Sequence, residues 1–281
     1  MTVAIVADTA CDLSVDRATA AGVTLVPLLI RFGDVEQKAI VELSVPAFYT
    51  RLLAPGSPHP STAACSPGDF VTAFEGRLAA GADAVVCLTV GSRLSATYKA
   101  ALIARDVMAG RPVHVVDSET VTMCQGLLVL LAAEAAAAGE RAETIVGLLE
   151  ARRADARLFV MLDTLEYLRR GGRISAAQAA IGSVLSVKPI ITIADGVVET
   201  LDKPRTLGRA RARLLEMLAE RPVERLSVVH SMAPGIDGFR ADAVAATGVH
   251  AASVVTELIG PSVAPHAGPG AFGAAVLLSA G

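Results

Sequence analysis

Short apolar runs rich in Val, Ile and Leu recur along this chain, and Ala- and Leu-rich stretches separate them. The runs fall at residues 3–7, 23–30, 84–90, 113–117, 157–162, 186–193, 226–230, 252–256 and 273–278. None alternates cleanly between apolar and polar positions, which is how strands buried on both faces read. A sheet of such strands needs helices on its faces, and the intervening stretches supply them. Ser66-Pro67-Gly68-Asp69 offers a capping serine, a proline at the first helical position and an acid in the first turn. Phe70, Phe74 and Leu78 then recur on one helical face. Met108-Ala109-Gly110 closes another helix ahead of Pro112. Strand and helix in alternation predict an α/β fold.

The texture changes near residue 158. A helical stretch ends in Arg169-Arg170-Gly171-Gly172-Arg173, and Asp195-Gly196 reads as the turn of a hairpin. We expect two domains: residues 1–157 with a mostly parallel sheet flanked by helices, and residues 158–281 as an α/β domain with a mixed sheet. A ligand would lie between them, because clefts of that kind are common binding sites.

Composition narrows the function. The net charge is −3, so there is no basic excess for neutralising phosphates, and nucleic acid is not an expected partner. Aromatic residues make up 4% and Trp is absent, so the core must be built from Ala, Val, Leu and Ile. The most apolar stretch, residues 126–138, contains Glu134 and is too short to cross a bilayer, which takes about 20 residues. No membrane insertion is expected. Met1 leads directly into the first strand with no secretory leader, so a cytoplasmic location is expected. Cys11, Cys65, Cys87 and Cys124 form no CxxC pair and read as reduced, buried thiols. Histidines 59, 114, 230, 250 and 266 lack ligand spacing, so neither a metal nor a cofactor is expected.

Polar residues gather just after several strands, where ligands sit in open α/β sheets. These are Asp8-Thr9 with Asp12, residues 89–97 reading TVGSRLSAT, and Asp117-Ser118. The same residue types also cap helices, so either reading stands. Residues 60–67, PSTAACSP, form a polar loop that offers the hydroxyls of Ser61 and Thr62. Pro265-His266-Ala267-Gly268-Pro269-Gly270 fixes a histidine in tight backbone, either to donate to an anion or as a surface turn. No GxGxxG follows the first strand, and there is no P-loop, HExxH or GxSxG. An acyl hydrolase or transferase using Ser92 or Ser95 with His266 remains an alternative, although no acid is visible to orient the imidazole.

Together these segments resemble the DegV family of bacterial fatty-acid-binding proteins. The strongest stretch runs from Asp163-Thr164-Leu165-Glu166-Tyr167-Leu168 through Arg169-Arg170-Gly171-Gly172-Arg173-Ile174-Ser175, similar to the family's DTLEYLxKGGRIS. Gly182, Leu185, Lys188-Pro189-Ile190 and Asp195-Gly196 follow in the family's order, then Lys203 and Arg205, and His266-Ala267-Gly268-Pro269-Gly270 resembles its closing HxGPG. At the front, Asp8-Thr9-Ala10-Cys11-Asp12-Leu13 is similar to DSxxDL, and Leu94-Ser95-Ala96-Thr97-Tyr98 to LSGTY. Thr62 to Phe70 is similar to TSQPSPGEF, with Ala63, Ala64 and Cys65 in place of Ser, Gln and Pro.

The resemblance implies a DegV-like two-domain fold and a carrier rather than an enzyme. It implies that Thr62, Ser95 and His266 hold a fatty-acid carboxylate. It also implies that a separate kinase subunit phosphorylates the bound acid with ATP, with Arg173, Arg205 and Lys203 near the ligand mouth or the docking surface. Arg209, Arg211 and Arg213 would extend that basic surface. The chemistry is coherent. An acyl chain needs a dry tunnel, whereas a buried carboxylate needs donors. A carrier of another amphiphilic lipid is the remaining alternative.

Overall fold

A computed structural model of the chain describes residues 1–174 and 187–279. The first apolar run forms β1 (Val3–Asp8), followed by α1 (Val15–Ala20) and β2 (Val23–Val26). Further along come β3 (Leu29–Phe32), β4 (Val35–Lys38), α2 (Val45–Leu52), β5 (Ser61–Ala63), α3 (Pro67–Ala79), β6 (Ala84–Thr89), α4 (Thr97–Val107) and β7 (Val113–Asp117). Strands β2, β1, β6 and β7 make a parallel sheet in that order. Every residue of β1 and β6 is buried. Ala4, Val6, Val85 and Cys87 face Phe70, Phe74, Ala101 and Ala104 of α3 and α4. Ile5, Ala7, Val86 and Leu88 face the opposite helical layer. Burial on both faces removes any need for polar alternation. Ser66 and Asp69 form the expected capping box on α3.

That opposite layer is α5 (Thr122–Ala137) with α6 (Ala142–Arg152). Helix α5 has no polar face because it is covered from two sides: it packs on β1 and also on strands of a second sheet. Gly126 is required there, since a β-carbon would lie 2.7 Å from the Cys11 carbonyl oxygen.

The second sheet is built from β8 (Ala156–Met161), β9 (Ile190–Ala194), β10 (Val197–Asp202), β11 (Val223–His230), β12 (Val255–Leu258) and β13 (Phe272–Leu278). Its order is β10-β9-β8-β13-β11-β12, antiparallel throughout except for β11 and β12, so it is the expected mixed sheet. Among the described residues, helices α7 (Glu166–Arg170), α8 (Leu207–Ala219), α9 (Ile236–Thr247) and the short α10 (Ala264–Ala267) accompany this sheet. The β9–β10 hairpin turns at Asp195 and Gly196, both with positive φ (49° and 73°), as the tight turn demands.

Several expectations change. Residues 23–30 are not one strand: Pro27, which cannot donate to a ladder, separates β2 from β3, and β3 joins a small third sheet in the order β4-β3-β5. Thr62 therefore sits in a strand, paired with Ile30, and not in a loop. The strand expected at 252–256 lies at Val255–Leu258, because Ala251–Ser253 form a 3-10 turn capped by His250. The strand expected at 186–193 is Ile190–Ala194, and Ser186 lies outside the described residues, as do Ser175, Gly182 and Leu185. Among the described residues no helix is long and apolar enough to cross a membrane.

Candidate functional site

In the parallel sheet the connections after β1 lead first to β2 on one side and then to β6 on the other, which makes the carboxyl ends of β1 and β6 a crevice. Two buried aspartates frame it. Asp8 Oδ1 accepts the Ala10 N–H at 2.9 Å, and its Oδ2 accepts the Val90 N–H at 2.7 Å and Gln125 Nε2 at 3.3 Å. Asp12 Oδ2 accepts the Thr122 hydroxyl at 2.6 Å, and its Oδ1 accepts the Gly260 N–H at 2.9 Å. Burial raises both carboxyls, Asp8 to about 6 and Asp12 to about 7. Thr9 hydrogen-bonds Ser262 at 2.7 Å. Asp8 ties the loop after β1 to Val90 and to α5, while Asp12 and Thr9 tie it to the segment that leads into α10.

The loops so fixed enclose a cavity whose empty space, mouth included, is about 770 Å³. One wall comes from the second sheet: Leu158, Val160 and Leu162 along and just past β8, Ile191 and Ile193 on β9, and Val198 on β10. Register pairs Val160 with Ile191 and Ile193 with Val198, which makes a continuous aliphatic face. Leu28, Val90, Leu94, Val121, Ile259 and Val263 close the other side.

Thr62, Ser95, Arg173 and His266 line this same cavity. Thr62 Oγ1 lies 3.0 Å from His266 Nε2. Ser95 Oγ lies 2.9 Å from Thr97 Oγ1 and accepts the Thr97 N–H at 3.3 Å, the turn that starts α4. Burial, with Arg173 and His59 nearby, lowers the His266 imidazole to about 4, so it is neutral at pH 7. If Nε2 carries the ring proton and donates it to Thr62, the threonine O–H is free to donate into the cavity.

The backbone around His266 explains the glycines of its partner segment. A β-carbon on Gly171 would strike His266 Nδ1, which has no hydrogen-bond partner. Gly172 has open space but a φ of +70°. Gly268 lies against the Tyr167 ring, and Gly270 approaches Asp163, which pairs with Lys188. Arg173 is held at the mouth by Nε donating to the Leu94 carbonyl at 3.2 Å and Nη1 to the Gly171 carbonyl.

Lys203 and Arg205 are exposed on the segment between β10 and α8 and do not line the cavity. Arg209 is exposed as well, whereas Arg211 pairs with Asp242, and Arg213 with Asp202, Glu216 and Glu220. The basic surface is thus partly neutralised. For Ser/His chemistry, His266 is bonded to Thr62 and not to Ser95, and its Nδ1 faces Gly171 rather than a carboxylate. Sequence reasoning missed the aliphatic lining, because Leu158, Val160, Ile191 and Ile193 read simply as strand core. It also missed Gly171 as the seat of the imidazole.

A family model described as an uncharacterised protein of the DegV family matches residues 2–279. A DegV domain-containing protein of Streptomyces coelicolor is 37% identical over 281 residues, which cover 98% of each chain. A solved structure described as fatty acid binding of a DegV family protein from Thermus thermophilus is 30% identical, with a TM-score of 0.90 over 99% of this chain and 100% of its own. A stearic-acid-binding protein from Eubacterium ventriosum is 26% identical, with a TM-score of 0.89 over 98% of this chain and 97% of its own. On the match across nearly its whole length, this chain belongs to the DegV family.

Proposed function

We propose that this protein binds one long-chain fatty acid and presents its carboxylate to a partner kinase, which phosphorylates it with ATP to an acyl phosphate. The observation that carries the reading is a cavity with largely aliphatic walls that Thr62, Ser95 and His266 also line, Thr62 and His266 in hydrogen-bond contact. The relatives described as binding fatty acid and stearic acid support the ligand class. Burying about 15 methylenes gains on the order of 10 kcal/mol before the cost of association. The carboxylate would lie between the two domains of the chain, with the Thr62 and Ser95 hydroxyls as donors and His266 orienting Thr62. Neutral donors hold a carboxylate while leaving an oxygen approachable, which a bidentate arginine would not.

In the kinase step a carboxylate oxygen forms the new bond to the γ-phosphorus of ATP as the bond to the bridging oxygen breaks. ADP leaves, and an ionised carboxylate has no proton to lose. The carrier supplies position and a dry cavity, and the kinase supplies the nucleotide chemistry. Arg173, Arg205 and Lys203 would contribute to the mouth and the docking surface. To test this, the palmitate-loaded protein is incubated with the kinase and ATP, and hydroxylamine traps acyl phosphate as the hydroxamate. Hydroxamate that depends on both proteins is the expected result. Palmitate binding with no hydroxamate would remove the kinase part and leave a simple carrier. Hydrolysis of acyl esters by this chain alone would overturn the carrier reading.

A further inference from the structure

A second, polar cleft opens beside the cavity and shares Leu94, Ser95, Arg173 and Val198 with it. Its own lining adds Ser92, Arg93 and Gly172. Arg93 stands on the connection between β6 and α4. Its Nη1 donates to the Asp195 carbonyl at 3.0 Å, and its stem lies against Gly196 of the β9–β10 hairpin, where a β-carbon would come within 3.4 Å. Arg173 faces the same cleft from the Gly171-Gly172 turn. Among the described residues neither arginine makes an ion pair, and residues 175–186 contain no Asp or Glu. Two cations therefore share a polar space that touches the carboxylate end at Ser95.

Thr62, Ser95 and His266 offer hydroxyls and a neutral imidazole to the carboxylate, and Arg173 adds one cation at the mouth. Such donors suit a monoanion. A phosphoryl group adds a second negative charge and three acceptor oxygens, which arginines recognise better than neutral donors do. From the juxtaposition of Arg93 and Arg173 across a cleft continuous with the cavity, we infer that this cleft is a subsite for a phosphoryl dianion carried on the head of a long-chain ligand. It rests on the proposed function, because the dianion is the head group of the acyl phosphate. In that account Ser95 marks the junction: the acyl chain stays in the cavity while the phosphoryl group moves out to Arg93 and Arg173.

Hexadecyl phosphate is a stable probe of this subsite, and palmitate is its control. Dissociation constants for both are measured on the full chain and on Arg93→Met, which keeps the stem and removes the charge. The expected result is a loss of about five- to tenfold for hexadecyl phosphate, the upper end of what a partly exposed charge-assisted contact contributes. Palmitate affinity stays unchanged, which also shows that the variant is folded. If palmitate binds but Arg93→Met leaves hexadecyl phosphate affinity unchanged, or the phosphate does not bind, the subsite is wrong. If palmitate fails to bind the unaltered chain, the underlying reading fails first, and the two failures are distinct.

Discussion

His266 Nε2 and the Thr62 hydroxyl stand 3.0 Å apart although 204 residues separate them in sequence. The contact joins β5 of the small third sheet to α10, which follows the last pair of parallel strands. If Thr62 donates to a ligand carboxylate, Thr62→Val keeps the shape and removes the donor. A hydrogen bond to a charged group contributes about 1.5–3 kcal/mol. Palmitate affinity should therefore fall roughly ten- to hundredfold, read by calorimetric titration, and the unliganded protein should lose about 1–3 kcal/mol of stability because His266 Nε2 loses its partner. An unchanged affinity would take Thr62 out of the site.

Gly171 and Gly172 are adjacent but have different reasons to be glycine. At Gly171 an added methyl collides with the His266 imidazole, and at Gly172 it meets nothing but requires a left-handed backbone. Gly171→Ala should weaken palmitate binding by displacing His266. Gly172→Ala should lower stability by about 1–2 kcal/mol with a smaller effect on affinity. Paired denaturation and binding curves separate the two, and the reverse pattern would contradict the assignment.

Val160 is buried in β8 and faces the cavity. Val160→Phe fills part of the space an acyl chain would occupy. Longer acids should lose more than shorter ones, by about 0.8 kcal/mol for each methylene left without room. Competition between C12, C16 and C18 acids measures this. A uniform loss across chain lengths would mean that the chain does not pass Val160.

Asp12 gives a pH signature. Its carboxyl is raised to about 7 in the folded protein by burial, against 3.8 as the ordinary value. Between those values the folded state holds a proton that the unfolded state has released, so this group's contribution to stability is fully present below about pH 4 and is lost as pH rises through 7. Asp12→Asn removes that dependence. The stability of Asp12→Asn relative to the parent should rise between pH 5 and pH 8 in thermal denaturation, and a constant difference would place the carboxyl at its ordinary value. His266, lowered to about 4, acts in the opposite sense, with stability lost as pH falls from about 6.5 toward 4. For that reason the comparison is made against the parent and not read from one curve.

The parallel sheet was legible because Val3–Asp8 and Ala84–Thr89 are buried on both faces and read as unbroken apolar runs. The hairpin at Asp195-Gly196 was legible because its turn needs those residue types. Strand β4 was not, because Val-Glu-Gln-Lys has no apolar pattern, and β5 is three residues inside a proline-bounded stretch. Thr62, Ser95 and His266 were singled out through family motifs, but nothing local says that they line one cavity. Their placement depends on long-range ties such as Asp12 to Gly260, across 248 residues. The cavity walls were hidden for a further reason: Val160 and Ile191 have the same side chains whether they face a lipid or another leucine.

The most direct test of the account is native followed by denaturing mass spectrometry of the purified protein. The account predicts a released mass of one long-chain fatty acid per chain, or stoichiometric uptake when palmitate or oleate is added. A chain that carries no lipid and takes up neither acid at saturating concentration would contradict it.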